Sequence, residues 1–290
     1  MVTSKPYGQL HFLVFLLAFT AILGELITIE AIPLVAWRTF MAALTLLIII
    51  RRKTVGFIFK KKALLTGIVL GAHWITFFGA VKLSNITICL TGMATTSLFT
   101  AATEAIAEKR KPYPNEILLG ILIIPGIIFI AGIESGHIWG LLCAILSALL
   151  AAIFPVLNKT MVRAGSAPSV ITYYEMIGAC ATCVLAGFCF GIPMSGYIPQ
   201  PLDWFWISLL SLVCTVFAFS FSIELLKKFS AYETALAINF EPVYGIILAA
   251  IIFHEHEEMH PLFFVGALVI FIVNFLHPIL QRREKNTAPT

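Results

Sequence analysis

Ten apolar runs of helix length follow one another between Gln9 and Leu280, with only short polar corners between them. A helix needs about 20 apolar residues to cross a bilayer, and these runs meet that length. They lack the alternation of barrel strands, so the expected fold is an all-α integral membrane protein. The spans read as Gln9–Thr28, Pro33–Ile50, Ala63–Val81, Ile86–Ile106, Glu116–Ile133, Ile138–Leu157, Ser169–Phe190, Trp204–Leu226, Ala231–Phe253 and Leu262–Leu280. Composition agrees: 12% of residues are charged and the mean hydropathy is +0.97, whereas soluble domains carry about 25% charged residues. The first run has no small-residue cleavage site and another run follows it at once, so it is expected to be retained.

The chain repeats itself. The corner Lys82-Leu83-Ser84-Asn85 returns 146 residues later as Lys228-Phe229-Ser230-Ala231. At the same offset Leu90 meets Leu236, Gly120 meets Gly266 and Phe129 meets Phe275. Apolar matches are cheap in such a chain, but the Lys-x-Ser corner is less so, and an internal period precedes any other fold assignment. The two units are 9–133 and 138–280, with a polar tail at 281–290. Five spans per unit is an odd number, so the second unit enters the membrane from the opposite side. Two inverted five-helix repeats are how secondary transporters build alternating states around a midplane site.

Basic residues set the orientation, because Lys and Arg near span ends stay cytoplasmic. With both termini inside, 17 of the 19 Lys and Arg fall in cytoplasmic segments. The exceptions are Arg38, within the second span, and Lys82. The expected location is a bacterial inner membrane, as a multi-pass cell-membrane protein. The net charge of +4 reflects this topology and makes no case for a nucleic-acid partner. Lys82 and Lys228 are expected to snorkel to opposite surfaces and hold the corners.

Ionisable groups at membrane depth are costly and face a bundle interior or a cavity. They are Glu25, Arg38, His73, Glu104, Glu175, Glu224, Glu233 and Glu241. Spans 5 and 10 are nearly bare, although Asn274 and His277 fall late in span 10, so these two spans are expected at the periphery as packing or homodimer surfaces. His73 and Phe77 share a helix face, as do Trp74 and Phe78. An aromatic face with one titratable group suits a small organic ligand, and a core histidine bonded to a neighbouring helix is the competing reading. In Asn239-Phe240-Glu241-Pro242-Val243-Tyr244, Pro242 removes a backbone donor, and such a break is tolerated only inside protein or beside a cavity. The expected substrate site, near the midplane between spans 2, 3, 7 and 9, is therefore His73, Trp74, Asn239, Glu241 and Tyr244. Arg38 on the outer side and Glu175 on the inner side, with Tyr174, are read as gate or counter-charge, or as members of structural pairs such as Arg38 with Glu25.

Two motifs are decoys. Cys180-x-x-Cys183 has no partner pair and lies inside a span. His256-Glu257-Glu258-Met259-His260 spells the zinc-peptidase motif, which needs both histidines on one helical face. Pro261 disfavours a helix there, and the loop reads as acidic and solvated. No metal or cofactor is expected.

The HWITFFGAVKLSN stretch and the ends of spans 4 and 9, TEAIAEKRKPYPNEILLG and FEPVYGIILAAIIFHEHEEMHPLFFVG, resemble the EamA branch of the drug/metabolite transporter superfamily. The resemblance implies ten spans, with spans 1–4 and 6–9 around a central cavity, and export or exchange of small metabolites such as amino acids. It also makes Glu108 and Glu255 counterparts of carboxylates at the inner end of span 4 and the outer end of span 9. The reading is a secondary transporter of a small solute and not an enzyme. A receptor or structural protein without transport, and a membrane-integral enzyme, are the competing classes. The scattered ionisable groups disfavour the enzyme.

Overall fold

The computed structural model describes residues 4–50, 60–109, 111, 118, 122, 125–126, 129–130, 132–229, 234, 237–238, 240–273 and 276. Every regular element among them is helical. Three helices come first: α1 (Ser4–Leu26), α2 (Ala31–Ile50) and α3 (Lys60–Leu83). The fourth span is broken into α4 (Ile86–Met93) and α5 (Thr96–Ala107), and the sixth into α6 (Ile138–Ala151) and α7 (Phe154–Arg163). Then come α8 (Pro168–Cys189), α9 (Pro201–Leu209), a π-helical segment (Leu210–Phe217) and α10 (Ala218–Leu225). Last are α11 (Glu241–Ile252), the short α12 (Glu255–Glu258) and α13 (Phe263–Val273).

Seven of the described helices are long and apolar enough to cross a membrane, counting continuous stacks such as α4–α5 and α6–α7 as one. They match the first four, sixth, seventh and eighth expected spans. Most of the fifth span, the start of the ninth and the end of the tenth lie outside the described residues, as do Glu233, Asn274, His277 and the tail at 281–290. The expected span 6 stops at Leu157, but α7 carries the helix to Arg163, so Lys159 lies on a helix and not in a loop. Apolar side chains are displayed outward: Phe188 is 86% exposed and Ile48 74%. Exposed apolar surface on this scale marks an interaction with lipid or another apolar partner.

Without a hydrophobic drive between helices in lipid, close backbone approach through small residues holds spans together. Here α3 crosses α8 through Gly67 and Gly71 on one side and Gly178 and Ala179 on the other. A Cβ on Gly67 would collide with the Glu175 backbone, and one on Gly71 would come within 2.8 Å of Ala179 Cα. The wider packing is regular. α1 packs on α11 and on the π segment, while α6 packs on α4 and on α3. α2 packs on the π segment and α8 on α3, and α2 meets α8 as α4 meets α11.

The corners tie down both ends of α1. Lys82 Nζ donates to Ile27 O at 2.7 Å, past the end of α1, and Lys228 Nζ reaches Gln9 Oε1 at 3.4 Å, near its start. The loop after α11 is less solvated than its composition predicts. Glu255 is buried, and its carboxylate accepts from the Ile86 and Thr87 amides at 3.0 and 2.9 Å and from Thr87 Oγ1 at 2.6 Å. It therefore caps the start of α4, where the helix leaves unpaired amides and a positive dipole end. The helical turn ends at Glu258 and Met259 is extended, so His256 and His260 do not share a helix face.

Candidate functional site

The helix breaks surround a cavity of about 110 Å³. One ordered water needs roughly 10–15 Å³ by this measure, so the space suits several waters or one small solute. Among the described residues its wall draws on helices of both halves but not on α8: Leu17 and Thr20 from α1, Arg38 from α2, His73, Trp74 and Phe77 from α3. Met93 closes α4, and Thr96 and Thr100 come from α5. Opposite them stand Phe154 and Asn158 of α7, Cys214 of the π segment, Phe219 and Ser222 of α10, and Thr234, Ile238 and Glu241.

The aromatic wall is continuous. The His73 ring is 5.5 Å from Phe154, Phe154 is 5.8 Å from Phe219, and Phe219 makes an edge contact with Trp74 at 5.7 Å. His73 is also a bonded core residue. Its Nδ1 lies 3.0 Å from Ser147 O and 2.8 Å from Ser147 Oγ, which donates in turn to His73 O at 3.0 Å. The two readings of His73 thus coexist: Nδ1 is engaged by α6, and the ring still faces the cavity.

Arg38, expected on the outer side as gate or counter-charge, is 1% exposed and lies on the cavity wall, because α2 packs against the π segment. Its guanidinium carbon sits 3.9 Å over the Trp74 ring, within cation–π range. Nε donates to Thr215 Oγ1 at 2.7 Å, and Ser211 Oγ donates to Arg38 O at 3.0 Å. No salt bridge within 4 Å joins Arg38 to an acid among the described residues, so the pair with Glu25 does not form. Arg38 and Glu241 do lie within electrostatic range of each other. Glu241 opens α11, with Pro242 in its first turn, so the proline break occurs where the carboxylate meets the cavity.

The remaining expected residues divide. Tyr244 is not on the wall; its ring packs against Phe15 at 6.1 Å between centroids. Glu175 is 0% exposed and stands off the wall, at the close crossing of α3 and α8. Asn158 is its polar neighbour, yet neither Glu175 oxygen meets hydrogen-bond geometry. Tyr174 lies beside Tyr173 and under Lys60, also away from the cavity. Among the described residues the seventh span, α8, therefore contributes none to the wall, and spans 1, 4, 6 and 8 take the place expected for it. Asn239 lies outside the described residues. Glu104, counted among the buried charges, is neutralised by Lys159 at 2.7 Å, which also reaches Glu108 at 3.3 Å.

Thr20, Thr96, Thr100, Phe154 and Phe219 were missed. Thr96 and Thr100 carried a signal: polar residues one helical turn apart in an otherwise apolar span. The π segment that holds Arg38 carried none, since Leu210–Phe217 reads as one more apolar run.

The sequence profile of the EamA-like transporter family, part of the drug/metabolite transporter superfamily, matches residues 138–277. No curated protein matches the chain in sequence. One solved structure, described as "Crystal structure of protein", superposes with a TM-score of 0.69 over 96% of this chain and 99% of its own, at 14% identity. At that identity the likeness is one of fold alone.

Proposed function

We propose, from the EamA-like transporter match over its second half, that this chain is a secondary transporter that exports or exchanges a small metabolite, such as an amino acid, by alternating access. The observation that carries the reading is the cavity. It is walled by helices from both halves of the chain, is lined mostly by aromatic and aliphatic groups, and among the described residues holds one cation and one acid, Arg38 and Glu241. Ligand sites have this character: an apolar lining with a few placed polar groups. An enzyme would need reactive groups gathered at one point, and the described residues of the cavity offer no such cluster.

Inverted repeats are supported by the way the helices pack. Number the spans one to ten and exchange each with the span five places on. The contact of span 1 with span 9 becomes that of span 6 with span 4. The contact of span 2 with span 8 becomes that of span 7 with span 3, and those of spans 2 with 7 and 4 with 9 map onto themselves. Each of these contacts occurs. Under this reading both termini are cytoplasmic. The polar wall residues Asn158 and Ser222 then lie toward the cytoplasmic end, near Lys159 and Lys227.

The substrate site in this reading is His73, Trp74 and Glu241, with Asn239 beside the break. Glu241 exchanges a proton or solute charge as the states interchange, since a ligand shifts two states only through its differential affinity for them. The test is exchange in proteoliposomes, with solutes drawn from an efflux screen over small metabolites. Glu241→Gln is expected to slow exchange at least tenfold and to flatten its pH dependence, while His73→Ala weakens affinity. A folded protein that moves no solute in the screen would instead support a receptor without transport.

A further inference from the structure

Hydroxyls on the cavity wall have already spent their protons. Thr96 Oγ1 donates to Met93 O at 2.6 Å, Thr100 Oγ1 to Thr96 O at 2.8 Å and Ser222 Oγ to Phe219 O at 2.7 Å. All three residues line the cavity. Serine and threonine in apolar helices often bond back to their own helix in this way. Each hydroxyl has one proton but two lone pairs, so what these three can still offer a solute is an acceptor.

His73 reaches the same condition by another route. Its Nδ1 has two neighbours on α6, Ser147 O at 3.0 Å and Ser147 Oγ at 2.8 Å. The carbonyl can only accept. The hydroxyl has its proton on His73 O at 3.0 Å, so it too accepts from the ring. Nδ1 is therefore the nitrogen that carries the proton. No carboxylate lies within 4 Å of the ring among the described residues, and an unpaired buried charge is costly. The ring is then neutral, with its lone pair on Nε2. No described residue takes Nε2, and the atom is not sealed from the cavity as Arg38 Nη1 and the Thr20 hydroxyl are. Phe77 at 6.1 Å and Phe154 at 5.5 Å pack on the ring and fix its plane. Donors are scarce by contrast: Arg38 has Nε on Thr215 and Nη1 sealed.

We propose that the cavity selects its solute by N–H and O–H donors, that His73 Nε2 accepts one of them, and that Ser147 is the positioning residue that fixes the tautomer. Thr96, Thr100 and Ser222 are further acceptors on the same wall. The inference rests on the transporter reading above and deepens it by naming the class of solute, one that donates hydrogen bonds and needs no carboxylate.

The test uses purified full-length protein with isotope-labelled histidine and nitrogen NMR, the His73 signals being identified by their loss in His73→Asn. Without ligand, His73 is expected as the neutral Nδ1–H tautomer with Nε2 bare. Two isosteric pairs of neutral probes then separate donation from shape: indole with benzofuran, and phenol with fluorobenzene. Indole and phenol are expected to shift the Nε2 resonance and to bind at least tenfold more tightly than their partners. In His73→Asn the shorter amide can keep the Ser147 bonds but does not reach the Nε2 position, so this preference should vanish. His73→Gln, whose amide does reach it, should restore part of it. Ser147→Ala should turn the tautomer signal into a mixture and shrink the preference, and Ser147→Thr should restore both. An imidazolium or an Nε2–H tautomer in the free protein, no Nε2 shift with either donor probe, or equal binding within both pairs would overturn the proposal. Solute exchange in proteoliposomes alongside such a failure would leave the transporter reading intact. A protein that shows the tautomer and the preference but moves no solute would uphold the acceptor wall and overturn the transporter reading instead.

Discussion

Glu255 shows how one side chain can be read two ways. In the sequence it belongs to a run of histidines and glutamates that looks like solvated loop. In the structure its carboxylate takes two amides and a hydroxyl at the start of α4. The neighbouring Asn85 adds a second cap, its Oδ1 accepting from the Ile88 amide at 2.8 Å. Charged hydrogen bonds are worth about 1.5–3 kcal/mol each, and leaving their donors bare costs a similar amount. Glu255→Ala is therefore expected to lower the unfolding midpoint in detergent clearly, and Glu255→Gln by less, since an amide oxygen still accepts. Glu257→Ala, at an exposed site, is the control. Equal midpoints for all three would show that α4 is capped by other means. Among the site residues, His73, Trp74 and Glu241 were legible because a titratable or aromatic group at membrane depth is conspicuous. Tyr244 and Tyr174 were not separable from them. In a helix apolar all round, the pattern gives depth along the axis but no rotational phase, so which side meets the cavity is hidden.

At the scale of elements, the crossing of α3 and α8 governs how the two halves join. Gly67 and Gly178 bring backbone against backbone, and backbone cannot yield as a flexible side chain can. Overpacking costs about 1–3 kcal/mol where side chains can shift, and more where they cannot. Gly67→Val and Gly178→Val are expected to abolish recovery of monodisperse protein. Gly79→Ala, on the same α3 with open space around its Cβ position, should be neutral or stabilising by up to about 1 kcal/mol. Size-exclusion profiles and thermal unfolding decide the matter, and tolerance of valine at Gly67 would contradict the close crossing. The spans were legible because helix-length apolar runs admit little else. Their interruptions were legible only at proline. Pro242 and Pro155 announce the starts of α11 and α7, whereas the break at Ala94 and Thr95 and the π segment at Leu210–Phe217 carry no local signature. Tertiary bonds stabilise them instead: Thr103 Oγ1 donates to Ala152 O, beside the break between α6 and α7, and Thr215 bridges Leu210 and Arg38.

At the scale of the whole molecule, hydrogen bonds between the two halves of the chain tie together the end carrying Lys82. Asp203 is buried and accepts from the Thr28 amide at 2.8 Å and from Thr28 Oγ1 at 2.7 Å, which joins the turn after α1 to the start of α9. Trp37 Nε1 donates to Tyr197 O at 2.7 Å across the same rim. These bonds link the first half of the chain to the second, so a transition that opens this end must break them. Losing one charge-assisted bond of about 1.5–3 kcal/mol shifts a two-state population roughly tenfold or more, because 1.4 kcal/mol is a factor of ten. Asp203→Asn should therefore expose the cavity to this side more often. Cys214, buried on the cavity wall, reports the change in a background without the other five cysteines. A membrane-impermeant thiol reagent applied from the side of Glu257 should label Cys214 slowly in the parent and several-fold faster in Asp203→Asn and Thr28→Val. Labelling unchanged from that side, with the protein still folded, would mean that the Asp203 bonds anchor a static rim and that the cavity opens elsewhere.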